Sequence, residues 1–136
     1  ALDLIDKNSL AYEAVEVGKK FVNQSASNLH DHYGDMSPVH SLNNLAVVIW
    51  AFLSFKDSFD EAIGETICCG WDTDCTGATV GGLIGLDKGS IPESWTDPWQ
   101  GRVNTAIAGV GELKLEDLVE RTCKLVDQFS SESDMD

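Results

Sequence analysis

The sequence has few basic residues and no long hydrophobic segment. Lysine and arginine together number 9 against 23 aspartates and glutamates, and the formal net charge is −14. Nucleic-acid partners and anionic membrane surfaces both require clustered basic residues, so the composition predicts neither partner. The longest uncharged apolar run, residues 42–55, is shorter than the roughly 20 residues that span a bilayer. It is interpreted as a buried helix.

The cysteines lack the paired spacing of zinc and redox motifs. They are Cys68, Cys69, Cys75 and Cys123, and none is separated from another by two residues. The adjacent pair Cys68 and Cys69 is a poor candidate for a disulfide. Reduced thiols in a cytoplasmic protein are therefore the favoured interpretation over two bridges. Cys68, Cys69 and Cys123 are predicted to be core thiols.

The residues that are present predict a folded helical chain. Hydrophobic residues make up 43% of the sequence, which is typical of a globular protein. Apolar positions recur at helical spacing and no segment alternates with a period of two, so the predicted fold class is all-α. We expect a single helical region over residues 1–130, followed by an acidic disordered tail at residues 131–136.

Capping residues and periodicity place the helices. Ser9 and Ser41 are predicted N-caps, the first for a helix from Leu10 and the second for the apolar helix through Phe55. A polar loop is expected at residues 23–40 and a short helix before residue 69, opened by acidic residues. A further helix is expected at Pro92. The clearest amphipathic helix presents one apolar face, formed by Leu115, Leu118, Val119, Thr122, Cys123, Val126 and Phe129.

Two aspartates precede a glycine-rich helix in the stretch "GWDTDCTGATVGGLIG", residues 70–85. Aspartates near a helix N-terminus contribute about 0.3–1 kcal/mol each, so capping alone explains Asp72 and Asp74. Two carboxylates separated by one residue can also converge on a hard cation. A calcium loop of the EF-hand type is excluded, because Leu83 stands where that loop needs a bidentate glutamate.

The glycines of this helix form a stripe. Gly77, Gly81, Gly85 and Gly89 recur every four residues, although each mid-helix glycine costs about 1 kcal/mol relative to alanine. The spacing predicts that another helix backbone packs closely against the stripe. Such packing would hold the helix N-terminus, and with it both aspartates, in a rigid position.

The same region resembles the C-terminal signature of the ADP-ribosylglycohydrolases, which include the dinitrogenase reductase-activating glycohydrolases and ADP-ribosyl-acceptor hydrolases. That signature has Gly-x-Asp-Thr-Asp-Thr, then Gly-Ala, spaced glycines and Ile-Pro-x-x-Trp. The resemblance covers about residues 39–122. The residues that match in order are Gly70, Asp72, Thr73, Asp74, Gly77, Ala78, Gly81, Gly85, Gly89, Ile91, Pro92 and Trp95.

The resemblance implies a fold, a reaction and a metal site. It implies an orthogonal all-α domain that binds two divalent cations, Mg²⁺ or Mn²⁺, and hydrolyses the bond between ADP-ribose and an acceptor. The partner would be an ADP-ribosylated protein or a small molecule containing ADP-ribose. By position, Asp72 and Asp74 would be metal ligands. Cys75 replaces the family's threonine, and a soft thiol suits magnesium poorly. Cys75 is thus either a ligand or not a ligand, and in the second case Thr76 or water would take its place at the metal.

The chain also departs from the family pattern. The family's other metal ligands, a Thr-Asp-Asp cluster, and its catalytic carboxylate are expected in an N-terminal half, and the aspartates at 31, 35, 57 and 60 do not match them. The chain is therefore interpreted as a C-terminal part that is inactive alone, has no assignable catalytic residue, and can pair with the N-terminal half. The alternative is a non-catalytic, crystallin-like or structural relative.

Several polar residues near the signature have two interpretations. His40, Asn43 and Asn44 share a helix face, so they either contact a sugar or phosphate or serve as capping groups around Ser41. Trp71 either lines the site or belongs to the core. His30 and His32 have a metal-like spacing, but a surface loop is the favoured interpretation because no third ligand is evident.

Overall fold

Helices dominate the chain, as the all-α prediction requires. The computed structural model describes residues 4–133, and residues 134–136 of the predicted acidic tail lie outside the described residues. The described part also contains one short antiparallel hairpin, which the sequence patterns did not indicate. The elements are α1 (Leu10–Lys20), α2 (Ser27–Tyr33), α3 (Ser41–Phe55), α4 (Phe59–Cys69), α5 (Thr73–Lys88), α6 (Glu93–Thr96), a 3₁₀ turn (Asp97–Trp99), β1 (Arg102–Asn104), β2 (Glu112–Lys114) and α7 (Leu115–Ser133).

The chain divides into two compact units, Ala1–Ile91 and Pro92–Asp136. The first contains α1 to α5 and its core lies around α3, whose residues Ala46, Val47, Trp50 and Ala51 are almost completely buried. The Trp50 indole N–H donates to the carbonyl oxygen of Gln24 at 3.1 Å, so this large core side chain leaves no polar atom unpaired. The prediction of a buried apolar helix ending at Phe55 is confirmed.

Helices α1 and α3 pack closely against each other at Gly18. A Cβ placed on Gly18 would lie 2.6 Å from the carbonyl oxygen of Ala46 and 2.8 Å from Cβ of Ile49. Only glycine fits at this crossing, because both neighbouring atoms belong to the α3 backbone or branch directly from it. The predicted start of α1 is confirmed, since the Ser9 hydroxyl accepts from the Tyr12 amide at 3.1 Å.

The glycine stripe of α5 packs against side chains of its neighbours, and the prediction of close contact with a helix backbone is wrong. A Cβ placed on Gly77 would lie 3.0 Å from Cδ1 of Ile67, and one placed on Gly81 would lie 3.3 Å from Cδ1 of Ile63, both on α4. A Cβ placed on Gly85 would lie 3.2 Å from Cγ1 of Ile91. Gly89 ends α5 in the left-handed conformation, at φ 71°, and does not pack against a neighbour.

The second unit contains the hairpin and the amphipathic helix α7. Arg102 pairs with Lys114 in the register of the two strands, and the Arg102 guanidinium donates to Glu112 at 2.8 Å. Helix α7 begins at Leu115 as the periodicity predicts. On its apolar face Leu118 is half-buried, whereas Val119, Val126 and Phe129 are exposed. Within residues 4–133, no helix is both long enough and apolar enough to cross a membrane.

Three local predictions require correction. The segment predicted as a polar loop contains the helix α2, because Leu29 is buried in the core and fixes one face of a short helix. The N-cap of α3 is His40, whose Nδ1 accepts from the Leu42 amide, and Ser41 is the first helical residue. All four thiols are free; Cys69 is buried as predicted, but Cys68 and Cys123 are exposed.

Candidate metal centre

A tight turn between α4 and α5 presents the two aspartates. Helix α4 ends at Cys69, and Gly70 follows with φ 83° and its amide bonded to the Ile67 carbonyl. Trp71 then has φ 60°, a conformation that costs a non-glycine residue about 1–3 kcal/mol. Asp72 is the N-cap of α5, so the strained residue lies directly before a candidate ligand.

Three side chains converge at the start of α5. The ligand atoms of Asp72, Asp74 and Cys75 lie within 4.8 Å of one another. Over the described residues 4–133, no other group of three acidic, histidine or cysteine side chains converges in this way. The N-terminal end of a helix favours anionic groups and positions these carboxylates at modest cost. The geometry is that of a candidate cation site.

Asp72 occupies the capping position without capping the helix through its side chain. Its carboxylate accepts no backbone N–H of the first turn. It accepts instead from the Cys75 thiol, and this hydrogen bond, with the charges of Asp72 and Asp74, raises the pKa of Cys75. At neutral pH Cys75 therefore remains a thiol and acts as a donor to Asp72.

Thr76 does not replace the threonine that the family signature has at the position of Cys75. Its side chain is buried, and its hydroxyl donates back to the Asp72 carbonyl at 2.9 Å. This bond ties the first turn of α5 to the turn before it. Thr76 is directed inward, whereas Asp74 and Cys75 are exposed on the surface of the helix.

The predicted substrate-binding residues of α3 make bonds within the protein. Asn43 is completely buried, and its amide donates to the Ser37 carbonyl at 3.2 Å. The Asn44 amide donates to the carbonyls of Pro38 and His40, and its oxygen accepts from the Asp72 backbone N–H at 3.4 Å. Asn44 thus links the start of α3 to the turn at residues 70–72, and His40 caps α3.

A shallow groove runs beside the acidic cluster. It has a volume of about 210 Å³, and its lining residues are Ser41, Asn44, Leu45, Val48, Cys75, Thr76 and Thr79. Its residues follow helical spacing on α3 and on α5, so the periodicity of the sequence already contained the two helix faces that form the groove. Sequence reasoning identified Asn44 and Cys75 but missed Ser41 and Thr79, because it could not show that these two faces meet.

An aromatic group packs against the other side of the turn. The rings of His30 and Trp71 lie 4.1 Å apart at 37°, and Tyr33 meets Trp71 edge-on at 6.1 Å. His30 Nε2 also lies 2.7 Å from the Cys69 carbonyl oxygen. His30 is therefore part of helix α2 and contacts the turn at residues 70–72, whereas the sequence predicted it in a surface loop. Trp71 is half-buried between these rings.

The sequence model of the ADP-ribosylglycohydrolase family matches residues 3–133 of the chain. The chain belongs to the ADP-ribosylglycohydrolase family. A search of curated proteins and a search of solved structures each returned no significant match. The match agrees with the resemblance found in the sequence and extends over nearly the whole chain. It supports a relationship to glycohydrolases in general.

The donor set at α5 fits only in part the kind of cation that this metal-dependent family uses. Two carboxylates are suitable ligands for Mg²⁺ or Mn²⁺, which prefer oxygen. The Cys75 thiol is a poor ligand for either ion, and it is already bonded to Asp72. Within the described residues 4–133, Asp72 and Asp74 supply the carboxylates of this convergent group.

Proposed function

We propose that the chain provides a divalent-cation site of an enzyme that cleaves the bond between ADP-ribose and an acceptor. The observation that carries the proposal is the convergence of Asp72, Asp74 and Cys75 at the start of α5, in a chain of the ADP-ribosylglycohydrolase family. The proposed ligands are Asp72 and Asp74, and the proposed ion is Mg²⁺ or Mn²⁺.

The charge of the chain supports a role for a cation. ADP-ribose carries a diphosphate, and the chain has a formal net charge of −14, so the two repel each other in the absence of a counterion. When bound, a divalent cation would offset part of the ligand's charge and orient the ribose hydroxyls. Asp72 and Asp74 would fix its place, because they stand at the N-cap and in the first turn of α5, a helix whose residues Thr76, Val80 and Ile84 are buried in the first unit.

We further propose that the chain corresponds to the C-terminal part of the family's domain and is inactive alone. The family's second ligand cluster and catalytic carboxylate belong to an N-terminal half, and the described residues 4–133 contain one convergent donor group. The N-terminal half would then be a partner of this chain. The substrate would be an ADP-ribosylated protein or a small molecule containing ADP-ribose.

Mn²⁺ binding tests the proposal directly. Isothermal titration of the chain with Mn²⁺ should give one site, and Asp72→Asn or Asp74→Asn should each weaken it at least tenfold. Asp57→Asn is the matched control, because Asp57 is an exposed carboxylate paired with Lys88 at 2.9 Å, outside the cluster. Unchanged affinity in both cluster variants would contradict the site, and so would an equal loss in the control.

A non-catalytic role is the second candidate. The observation that favours it is Cys75 itself, whose soft thiol stands among the converging donors where the family signature has a threonine hydroxyl. In that case neither Mg²⁺ nor ADP-ribose should raise the Tm of the protein. A rise with both ligands supports the metal-dependent hydrolase.

A further inference from the structure

We propose that His30 is a positioning residue for the candidate metal centre, holding Trp71 in its left-handed conformation and thereby setting the direction of Asp72. The inference rests on the proposed function, since it concerns the same cation site. It begins from the backbone of Trp71, whose φ of 60° is unusual for a bulky residue. Such a conformation persists only where neighbouring contacts enforce it.

The first contact is a hydrogen bond that fixes the backbone before Trp71. His30 Nε2 lies 2.7 Å from the Cys69 carbonyl oxygen, and a carbonyl can only accept. The Nε2 atom therefore carries the proton and donates it. This bond holds the last residue of α4 against α2, two residues before Trp71.

The second contact holds the Trp71 side chain. The imidazole lies against the indole with centroids 4.1 Å apart, and the Tyr33 ring contacts the indole edge-on with centroids 6.1 Å apart. A relaxed Trp71 with negative φ would swing the indole away from both rings. The same rotation would turn the peptide that leads into Asp72, so one histidine controls both the side chain and the backbone of the turn.

The opposite side of the turn is held more weakly. The Asp72 N–H donates to Asn44 Oδ1 at 3.4 Å, a long bond compared with that of His30. His30 itself is exposed and does not belong to the buried core. Its removal should therefore disturb the turn without unfolding the first unit.

The test compares His30→Ala, His30→Gln and His32→Ala by Mn²⁺ titration and by amide exchange measured with NMR. Removing a group that orients a metal ligand commonly weakens metal affinity 10–100-fold, so His30→Ala should lose about tenfold or more. The Gln variant keeps an N–H that reaches the Cys69 carbonyl and should lose less. His32→Ala, on the same helix, should bind like the wild type.

Exchange of the Gly70 and Asp72 amides separates this inference from the proposed function. Both amides should exchange faster than in the wild type in His30→Ala and at the wild-type rate in His32→Ala. The Tm of both variants should stay close to that of the wild type. Wild-type affinity or wild-type exchange in His30→Ala would overturn the positioning role. If the wild type binds no Mn²⁺, the proposed function fails, and exchange alone then decides the role of His30. If His30→Ala does not fold, the Gln variant decides by the same two measurements.

Discussion

Gly18→Ala should destabilise the first unit, because the crossing of α1 and α3 has no room for a methyl group. The added Cβ would lie 2.6 Å from the Ala46 carbonyl oxygen and 2.8 Å from Cβ of Ile49. Overpacking of this kind costs about 1–3 kcal/mol, and alanine recovers up to about 1 kcal/mol of helix propensity. Neither neighbouring atom can move without moving α3, so the cost lies in the upper half of that range. The expected net loss is about 1–2 kcal/mol.

Urea unfolding followed by circular dichroism measures this loss. With a slope of about 1.5 kcal/mol/M, the midpoint should fall by about 0.7–1.3 M without a change in slope. Gly64→Ala and Gly82→Ala are matched controls, since both glycines are inside helices and face open space. Each control should gain about 0.5–1 kcal/mol. Wild-type stability in Gly18→Ala, or an equal loss in the controls, would refute the packing argument.

Three further predictions concern the cysteines. Cys75→Thr should tighten Mg²⁺ binding in calorimetry, because it replaces a soft thiol with a hard hydroxyl oxygen; equal or weaker binding would contradict the assigned ligand chemistry. In iodoacetamide labelling followed by mass spectrometry, Cys69 should react last, since it is buried and burial raises its pKa to about 11. Its thiolate fraction stays low until the pH approaches that value, so labelling at pH 8 should modify the exposed Cys68 and Cys123 before Cys69. Asp72→Asn should accelerate labelling of Cys75, whose pKa the Asp72 carboxylate raises.

The helices of the first unit were largely predictable from the sequence. Ser9, the apolar run ending at Phe55 and the break after Cys69 are local signals, and each marks a real boundary within a few residues. Helix α2 was missed because one buried residue, Leu29, fixes it through tertiary contact and leaves no periodic pattern. The hairpin was missed because strands of three residues are too short to show alternation.

The glycine patterns show why spacing alone does not identify a close backbone contact. The repeated glycines of α5 accommodate the isoleucine side chains of α4 and the Ile91 side chain. Gly18 lies outside this repeat, and among the described glycines it is the one whose added Cβ would come closest to another helix's backbone. A glycine is required by the shape of the surface opposite it, and that surface is formed by residues distant in sequence.

The residues that converge at the candidate site could be predicted from the sequence, whereas the contacts that hold them in place could not. Asp72 and Asp74 were identified from their spacing and the family signature, and the cluster also includes Cys75. The hydrogen bond from Cys75 to Asp72 and the stacking of His30 on Trp71 depend on side-chain directions that spacing does not fix. The hydrogen bond from Asn43 to the Ser37 carbonyl, just before α3, likewise could not be predicted, since capping and ligand contact use the same amide.

The turn before α5 is held from three directions, and this explains how a strained residue persists there. Helix α2 supplies His30, α3 supplies Asn44, and the Thr76 hydroxyl bonds back to the Asp72 carbonyl from α5 itself. None of these contacts uses the carboxylate of Asp72. The backbone is therefore fixed by contacts that leave the Asp72 carboxylate available beside the Cys75 thiol, which is a weak donor. A cation that displaces this thiol would lose little, and it would find a ligand whose backbone is already ordered.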